Sequence, residues 1–299
     1  SEGKNEKEKQ QLFKEQYPGK RVCQDTFAIV EGSPIIPDFT DEVADIFAKT
    51  RPLGDVAFSK PGMQTSDNDR FLRSWHEVNH AKIGFALSHE SATKSAYKWF
   101  PYNKGDGFRK WYGNNYRVLN YAQDGEELKY WITHNPKDPT TTSWSRNLRN
   151  YDYYFVEGIT YSAIGSDYSA RLNGAGFLFD TKGPTIFCNE SKSLVCSYVN
   201  SSMFNFFNRM LTRQLTKSSA SINNVPWINP ARELSSRIEQ IGEKNISLSR
   251  IDWDSYETSW DFTDLPLVRY RDSGATLAQA YETWKIECNE RFYQLKANE

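Results

Sequence analysis

The hydrophobic pattern changes its period near Ser193, and this change constrains the fold more than any other feature of the sequence. Before it, short apolar segments such as residues 177–180 and 185–187 are bounded by Gly and Pro, which is typical of strands joined by turns. After it, in residues 193–215 and again from Leu277, apolar side chains recur every three or four positions, which predicts amphipathic helices. The pattern predicts an α+β fold, with a mixed or antiparallel sheet, flanking helices and a helical C-terminal extension.

Local signals predict further elements along the chain. Residues 4–16 have a charged, helical character, and Thr40 is expected to be the N-cap of a second helix because Asp41 and Glu42 follow it. The apolar spacing from Leu277 to Leu295 predicts the clearest helix. Because that helix reaches Glu299 without a Gly or Pro stop, we expect the chain to end inside an element of a larger protein. We also expect strands within residues 27–36, 71–78 and 149–155, and a turn-like linker at residues 124–129.

The chain as a whole is almost neutral, with a net charge of -1 from 37 Lys and Arg residues against 38 Asp and Glu residues. Any binding of nucleic acid must therefore come from local segregation of charge. No apolar run approaches the roughly 20 residues that cross a bilayer, and the first residues lack the apolar core of a secretory signal. We therefore expect a cytoplasmic protein with no membrane partner. The four cysteines are widely spread and include no CxxC pair, so we expect them to be reduced thiols. They are Cys23, Cys188, Cys196 and Cys288.

Residues 94–117, which we call the basic-aromatic stretch, combine six cations and eight aromatic rings with the single acid Asp106. Cations suit phosphates, and rings suit bases or sugars, so the pattern is typical of a nucleic-acid surface. Gly105 and Gly107 bracket a turn that could bring backbone N–H groups close to a phosphate. The alternative is an aromatic-rich edge of the core with solvated lysines.

A second candidate site is a match to the HExxH pattern at His76, Glu77 and His80. On a helix the two histidines would lie one turn apart and ligate zinc while Glu77 activates water, as in a zinc metallopeptidase. The preceding residues alternate with period two, however, and on a strand the two histidines would be roughly 13 Å apart, too far for one ion. A zinc peptidase is therefore the alternative function. Glycine-rich nucleotide loops and a GxSxG elbow are absent from the sequence.

Several segments, found in a consistent order, resemble a known family. They are PGMQTSDNDRFLRSWHEV (residues 61–78), KWFPYNKGDGFRKWYGNN (98–115), RNYDYYFVEGITYS (149–162), KGPTIF (182–187), LVCSYVNSSMFNFF (194–207), INNVPWI (222–228) and SRIDWDSYETSWDF (249–262). The most diagnostic part is DWDSYETSWDF, at residues 252–262. Together these segments resemble the PglX family, the adenine-specific DNA methyltransferases of BREX phage-defence systems. More distantly, they resemble the target-recognition regions of type IIL restriction–modification enzymes.

The resemblance implies that this chain is the target-recognition part of such an enzyme. In the family, an upstream domain binds S-adenosylmethionine and carries an Asn-Pro-Pro-Tyr/Phe motif. Here Asn135-Pro136 continues with Lys137, and Asn229-Pro230 continues with Ala231. No cofactor and no catalytic residue are therefore expected in this segment. The expected organisation is a connecting segment at residues 1–50, a target-recognition domain at residues 51–230 and the start of a helical region at residues 231–299.

The implied partner is double-stranded DNA, from which an adenine is flipped into the upstream methyltransferase domain of the same protein. Other BREX proteins, or a phage protein that mimics DNA, are further expected partners. Phosphate contacts would set the register, and base-edge contacts would select the site. About half of the aromatic residues in the expected set should be core. The expected DNA-contacting residues are Thr65, Asp67, Asn68, Lys98, Tyr102, Arg109, Lys110, Trp111, Tyr112, Asn114, Arg146, Arg149, Tyr153, Tyr154, Arg209, Arg213 and Lys217.

Overall fold

A computed structural model describes residues 5–16, 24–36, 39–165, 167–212, 216–272 and 274–299. The chain divides into two compact units, Ser1–Thr50 and Arg51–Glu299. The described residues form α-helices and two four-stranded sheets, so the predicted α+β class is confirmed. A functional boundary at residue 230 stays a prediction. Within the described ranges, no helix is both long enough and apolar enough to span a membrane.

The first unit contains two helices, α1 (Glu6–Gln16) and α2 (Asp41–Lys49). Thr40 caps α2 as predicted, because its side-chain oxygen accepts a hydrogen bond from the Val43 N–H, and Val43 and Phe47 are buried. The strand predicted within residues 27–36 is wrong. Gln24–Ile29 form a 3-10 helix instead, and Gly32, at φ 82°, turns the chain soon after it.

In the described part of the second unit, short strands build two sheets. The first sheet has the order β1-β8-β5-β6 and is antiparallel throughout. The second has the order β2-β4-β3-β7, in which β3 and β7 run parallel. The strands are β1 (Ala57–Lys60), β2 (Leu72–Ser74), β3 (Trp99–Asn103), β4 (Arg117–Asn120), β5 (Gly158–Tyr161), β6 (Ala170–Asn173), β7 (Leu178–Phe179) and β8 (Thr185–Cys188).

Side chains from both sheets share one hydrophobic core. Phe187 of β8 packs in the same cluster as Phe100 of β3 and Phe179 of β7. Gly62 lies directly against β7, where a Cβ would stand 1.9 Å from the carbonyl oxygen of Phe179. No larger residue fits there without moving the backbone, so this glycine fixes the polar turn that follows it beside the end of β7.

Helices flank the sheets and form the C-terminal part of the second unit. They are α3 (Asn68–Phe71), α4 (His89–Lys94), α5 (Ala122–Thr133), α6 (Lys192–Val199), α7 (Ser202–Leu211), α8 (Ser219–Asn223), α9 (Arg232–Asp254), α10 (Pro266–Asp272) and α11 (Leu277–Asn298). Helix α9 packs on α6, and α11 packs on α9 and α10. The predicted last helix is confirmed, but much of its apolar face is exposed: Leu277 is 64% and Phe292 60% exposed.

Three local predictions in this unit need correction. The predicted linker at residues 124–129 lies in α5, which the chain enters through a left-handed turn at Gln123, Asp124 and Gly125. The strand predicted at residues 149–155 contains the 3-10 turn Tyr151–Tyr153, because its tyrosine rings pack inward from a compact turn. Of residues 71–78, Leu72–Ser74 form a strand, and a capping box between Ser74 and Glu77 then turns the chain.

Candidate nucleic-acid interface

The basic-aromatic stretch runs from the last residue of α4 through β3 and a loop to the first residue of β4. Several of its rings belong to the core. Phe100 and Tyr102 of β3 are buried. The Tyr102 hydroxyl donates to the Asp180 carboxylate at 2.6 Å. Burial, together with that carboxylate, raises the pKa of Tyr102 well above its usual value. The ring of Tyr102 is covered by the protein, and this burial does not support the predicted DNA contact.

Arg109 is directed towards α9. Its Nη2 lies 2.8 Å from Oδ2 of Asp252, and its guanidinium lies 4.9 Å from the ring centroid of Trp253. Its Nε also donates to the Tyr112 carbonyl oxygen at 2.8 Å. The guanidinium is therefore held by internal partners, and the predicted DNA contact by Arg109 is not supported.

Lys110, Trp111 and Tyr112 also face the helical part of the unit. Lys110 Nζ lies 2.9 Å from Oε2 of Glu299, and the Trp111 indole donates to the other oxygen of that carboxylate at 2.8 Å. The Trp111 and Tyr112 rings are buried, and the guanidinium of Arg250 covers Tyr112 at 4.6 Å. The burial of these two rings does not support the DNA contacts predicted for Trp111 and Tyr112.

The predicted polar turn is present, and some of its donors and acceptors already form hydrogen bonds within the turn. Thr65 is buried and donates to Asn68 Oδ1 at 2.7 Å, which does not support the predicted DNA contact by Thr65. Asp67 is the N-cap of α3 and accepts from the Arg70 N–H. Asn68 is exposed, and its Oδ1 also accepts from Lys104 at 3.1 Å. Asn68 is therefore the member of the turn best placed to meet a ligand.

The remaining predicted residues divide by exposure. Lys98, Arg146 and Arg149 are exposed, whereas Asn114 and Tyr153 are half-buried and Tyr154 is buried in the core. Asn114 donates its amide to the Gly107 carbonyl oxygen at 2.9 Å, which gives it a structural role in the loop. The Tyr154 ring packs on Phe179, and this packing does not support the predicted DNA contact by Tyr154.

Three of the predicted DNA-contacting residues are cations at positions 209, 213 and 217. The two that the structure describes do not form an open row of cations. Arg209 is exposed and pairs with Asp167 at 2.7 Å. Lys217 is buried, its ammonium donates to the Gly165 carbonyl oxygen at 2.6 Å, and burial lowers the pKa of Lys217. The predicted DNA contact by Lys217 is therefore not supported by its surroundings. Arg213 lies outside the described residues.

An open cleft of about 700 Å³ lies beside the polar turn, and it gathers cations from four distant places in the chain. Its charged residues are Arg73, Lys104, Arg117 and Lys182, with Asp69, Glu77 and Asp106; Asn68, Ser74, Ser162, Leu72 and Ile164 complete the lining. Lys104 pairs with Asp180 at 2.8 Å and Arg117 with Asp106 at 3.3 Å. The side chain of Arg73 donates to the backbone carbonyls of Asp69 and Leu72, and that of Lys182 is exposed.

Arg73 and Lys182 are therefore the cleft cations with no carboxylate partner among the residues that the structure describes. Neither was in the predicted site. Arg73 lies in a segment that resembles the family, and Lys182 begins another. Charge alone could not have selected these two from the other cations.

The loop from Lys104 to Arg109, which we call the clamped loop, is fixed by hydrogen bonds from the side chain of Arg171 in β6. The Arg171 side chain is 1% exposed and donates to the carbonyl oxygens of Gly105 at 2.7 Å and Arg109 at 3.2 Å. Burial lowers its pKa to about 10. Ser162 donates to the same Gly105 oxygen at 2.7 Å. Gly105 has φ 91°, and a Cβ there would stand 2.2 Å from the Lys182 carbonyl oxygen.

The HExxH residues do not form the helix that a zinc site needs. Trp75–Glu77 and His80–Lys82 are separate 3-10 turns, with Val78 extended between them at φ -122° and ψ 160°. Glu77 accepts from the Ser74 N–H at 2.6 Å in the capping box, and both histidine rings lie against Trp75. Among the described residues, no group of three or more His, Cys, Asp or Glu side chains is arranged to hold a metal ion. The geometry does not support a zinc peptidase.

Comparisons with known proteins indicate the class. No family model matches the chain. Its sequence is similar to curated adenine-specific methyltransferases over almost its whole length, which confirms the resemblance inferred from the segments above.

Two particular relatives define the similarity. The chain is 35% identical over 286 residues to the adenine-specific methyltransferase PglX of Lacticaseibacillus casei (strain Zhang), covering 93% of this chain and 23% of that protein. It is 30% identical over 285 residues to the adenine-specific methyltransferase BrxX of Escherichia coli O9:H4 (strain HS), covering 93% of this chain and 22% of that protein. The chain therefore spans less than a quarter of the length of these relatives.

Among solved structures, the chain is similar to the type IIL restriction–modification enzyme MmeI in complex with DNA. The TM-score is 0.47 with 14% sequence identity, and the match covers 82% of this chain and 34% of that one. The likeness to adenine-specific methyltransferases rests on the two sequence relatives.

Proposed function

We propose that this chain provides DNA recognition for site-specific adenine methylation in BREX phage defence, and that duplex DNA binds across the cleft. The carrying observation is the meeting of Arg73, Lys104, Arg117 and Lys182 in one open cleft of a nearly neutral protein. The chain aligns over 93% of its length with adenine-specific methyltransferases, and this similarity supports DNA as the polyanion.

The cleft offers both kinds of contact that a DNA-recognition surface uses. Lys182 and Arg73 can contact phosphates, which sets the register of the protein on the duplex. Asn68, at the cleft edge, carries an amide that can meet a base edge. The outward part of the expected site, Lys98, Arg146 and Arg149, would extend the phosphate contacts beyond the cleft.

We assign methyl transfer itself to another part of the same polypeptide. Asn135, the start of the nearest Asn-Pro sequence, is buried, and its side-chain oxygen accepts from the Lys137 N–H at 2.9 Å to close a turn. That geometry does not present an amide to a flipped adenine. Asn135 therefore does not fit the role of the asparagine that holds a flipped adenine.

The test is binding of duplex DNA by the 299-residue chain at two salt concentrations, with an Arg73→Ala/Lys182→Ala double variant beside it. The four cleft cations alone predict a loss of affinity of about 150-fold between about 50 and 200 mM salt, and removing two contacts should make that loss about 12-fold smaller. The variant should therefore bind more weakly and with a shallower salt dependence.

The matched control is Lys285→Ala/Lys296→Ala, which removes two exposed cations that do not line the cleft and changes the net charge by the same amount. It should keep the salt dependence of the wild type. Equal effects of the two double variants, or no binding of DNA at low salt, would refute the assignment of the cleft. A DNA-mimicking protein would use the same cations, and it should compete with duplex DNA for the chain.

A further inference from the structure

The clamped loop presents an apolar ring to solvent next to the cleft. Phe108 is 63% exposed, and it follows Asp106, a cleft residue, by two positions. A single exposed aromatic ring is common on protein surfaces and does not by itself indicate function. The way in which the backbone around this ring is held gives it a second, independent feature.

Every second carbonyl around Phe108 is fixed by a side chain. Gly105 O accepts from Arg171 and Ser162 at 2.7 Å each, Gly107 O accepts from Asn114 at 2.9 Å, and Arg109 O accepts from Arg171 at 3.2 Å. Below the ring, Asp106 pairs with Arg117 across the base of the loop. The backbone on both sides of Phe108 is therefore fixed, while its side chain is left outside.

A rigidly held apolar ring beside phosphate-binding cations is suited to insertion between base pairs. An inserted apolar side chain unstacks a base step and kinks the duplex, and the adjacent cations hold the distorted backbone. Adenine methylation requires a base to leave the stack, which costs unstacking energy that an inserted ring can offset by stacking in its place. Ile164, 54% exposed on the cleft wall, adds apolar surface on the same side.

We propose that Phe108 is a wedge that inserts into duplex DNA bound in the cleft. This inference rests on the proposed function, because it requires DNA in the cleft, but it adds a claim that DNA binding alone does not make. Lys104 and Lys182 would hold the phosphates beside the step that Phe108 opens. The ring, rather than a charge, would carry this part of the interaction.

The experiment measures unwinding of DNA, which insertion causes and phosphate contact alone does not. A closed-circular plasmid is relaxed by a topoisomerase with the 299-residue chain bound, and the change in linking number is measured after the protein is removed. Plasmid DNA is used because it contains many base steps and needs no knowledge of the recognised sequence. Binding at two salt concentrations is measured in parallel on the same proteins.

We expect the wild type to lower the linking number and Phe108→Ala to abolish this change. Phe108→Ala should also weaken binding by about fivefold, the low end of what one stacked ring contributes, with an unchanged salt dependence. Phe108→Trp, which keeps a stacking ring, should restore unwinding. Tyr130→Ala removes an equally exposed ring, 63%, from α5 and should unwind DNA as the wild type does.

The outcomes separate the two proposals. Salt-dependent binding by the wild type without unwinding, or equal unwinding by Phe108→Ala, overturns the wedge and leaves DNA binding by the cleft in place. Absence of any DNA binding by the wild type overturns both. Since Phe108 is exposed, its variants should unfold at the same urea concentration as the wild type, and this is measured as the check on folding.

Discussion

Replacing Arg171 by methionine and by lysine would test whether a buried guanidinium holds the clamped loop. The wild-type side chain is 1% exposed and donates to Gly105 O, Arg109 O and Ser162 Oγ, at 2.7, 3.2 and 3.3 Å. Arg171→Met removes the charge and these hydrogen bonds but keeps an unbranched apolar stem. Arg171→Lys keeps the charge but lacks the planar fork that reaches separate acceptors.

Two opposing free energies decide the effect of the methionine. Burial lowers the pKa of Arg171 from 12.5 to about 10, which corresponds to a cost of about 3 kcal/mol for keeping the charge at this site. Methionine removes that cost. Three hydrogen bonds from a charged donor contribute about 1.5–3 kcal/mol each, or about 4.5–9 kcal/mol together. The methionine variant should therefore be less stable by about 1.5–6 kcal/mol.

The lysine variant should be destabilised at least as much as the methionine variant. It retains a buried cation while losing at least one of the hydrogen bonds that compensate its burial. Urea unfolding gives the free energy of unfolding of each variant, and an unchanged m-value would show that the same surface is exposed on unfolding. Arg209→Met, at a 67% exposed ion pair, is the matched control and should change stability by about 1 kcal/mol or less. A lysine variant as stable as the wild type would refute the argument, because a single buried cation would then suffice.

Two further predictions concern stability. A double-mutant cycle of Arg109→Ala, Asp252→Ala and the double variant should give a coupling free energy of only about 0.5–1 kcal/mol by urea unfolding. The coupling is small because the two side chains of this ion pair are 28% and 37% exposed. Arg109→Ala should also leave the salt dependence of DNA binding unchanged. Burial raises the pKa of several tyrosines, so the unfolded chain releases their protons first, and stability should be full below about pH 10 and fall above it. The tyrosines concerned are Tyr102, Tyr161 and Tyr168. The absorbance of tyrosinate should therefore rise together with unfolding as the pH is raised. Ionisation of these tyrosines before the protein unfolds would contradict the prediction.

Helices were predicted well because their signals are local. Thr40 caps α2 through its own side chain, and the spacing from Leu277 onward needs only one helix to be recognised. The two short strands within residues 177–187 were predicted for the same reason, since Gly176, Gly183 and Pro184 lie beside them. Residues 149–155 were mistaken for a strand because three tyrosines have strand propensity, whereas here the core takes their rings from a turn.

A different physical cause explains why cations of the basic-aromatic stretch have acidic partners that the sequence did not indicate. The basic-aromatic stretch carries a large local excess of positive charge, but the compensating acids come from far along the chain. Asp252 is 143 residues from Arg109, and Glu299 is 189 residues from Lys110. No local pattern reports such pairing. The sequence therefore identified a region rich in cations, and it could not predict that two of its cations are neutralised by the C-terminal helices.

The same long-range pairing explains why the cleft cations escaped prediction. Arg73, Lys104, Arg117 and Lys182 come from β2, the clamped loop, β4 and the turn before β8, and they meet only when both sheets are formed. In a chain with a net charge of -1, a polyanion is attracted where cations without acidic partners lie close together. Lys104 and Arg117 are matched by Asp180 and Asp106, and Asp69 and Glu77 also line the cleft, so the cleft as a whole carries no large excess of positive charge. Arg73 and Lys182 are the cleft cations without a carboxylate partner among the described residues, and removing them should therefore reduce the salt dependence of DNA binding.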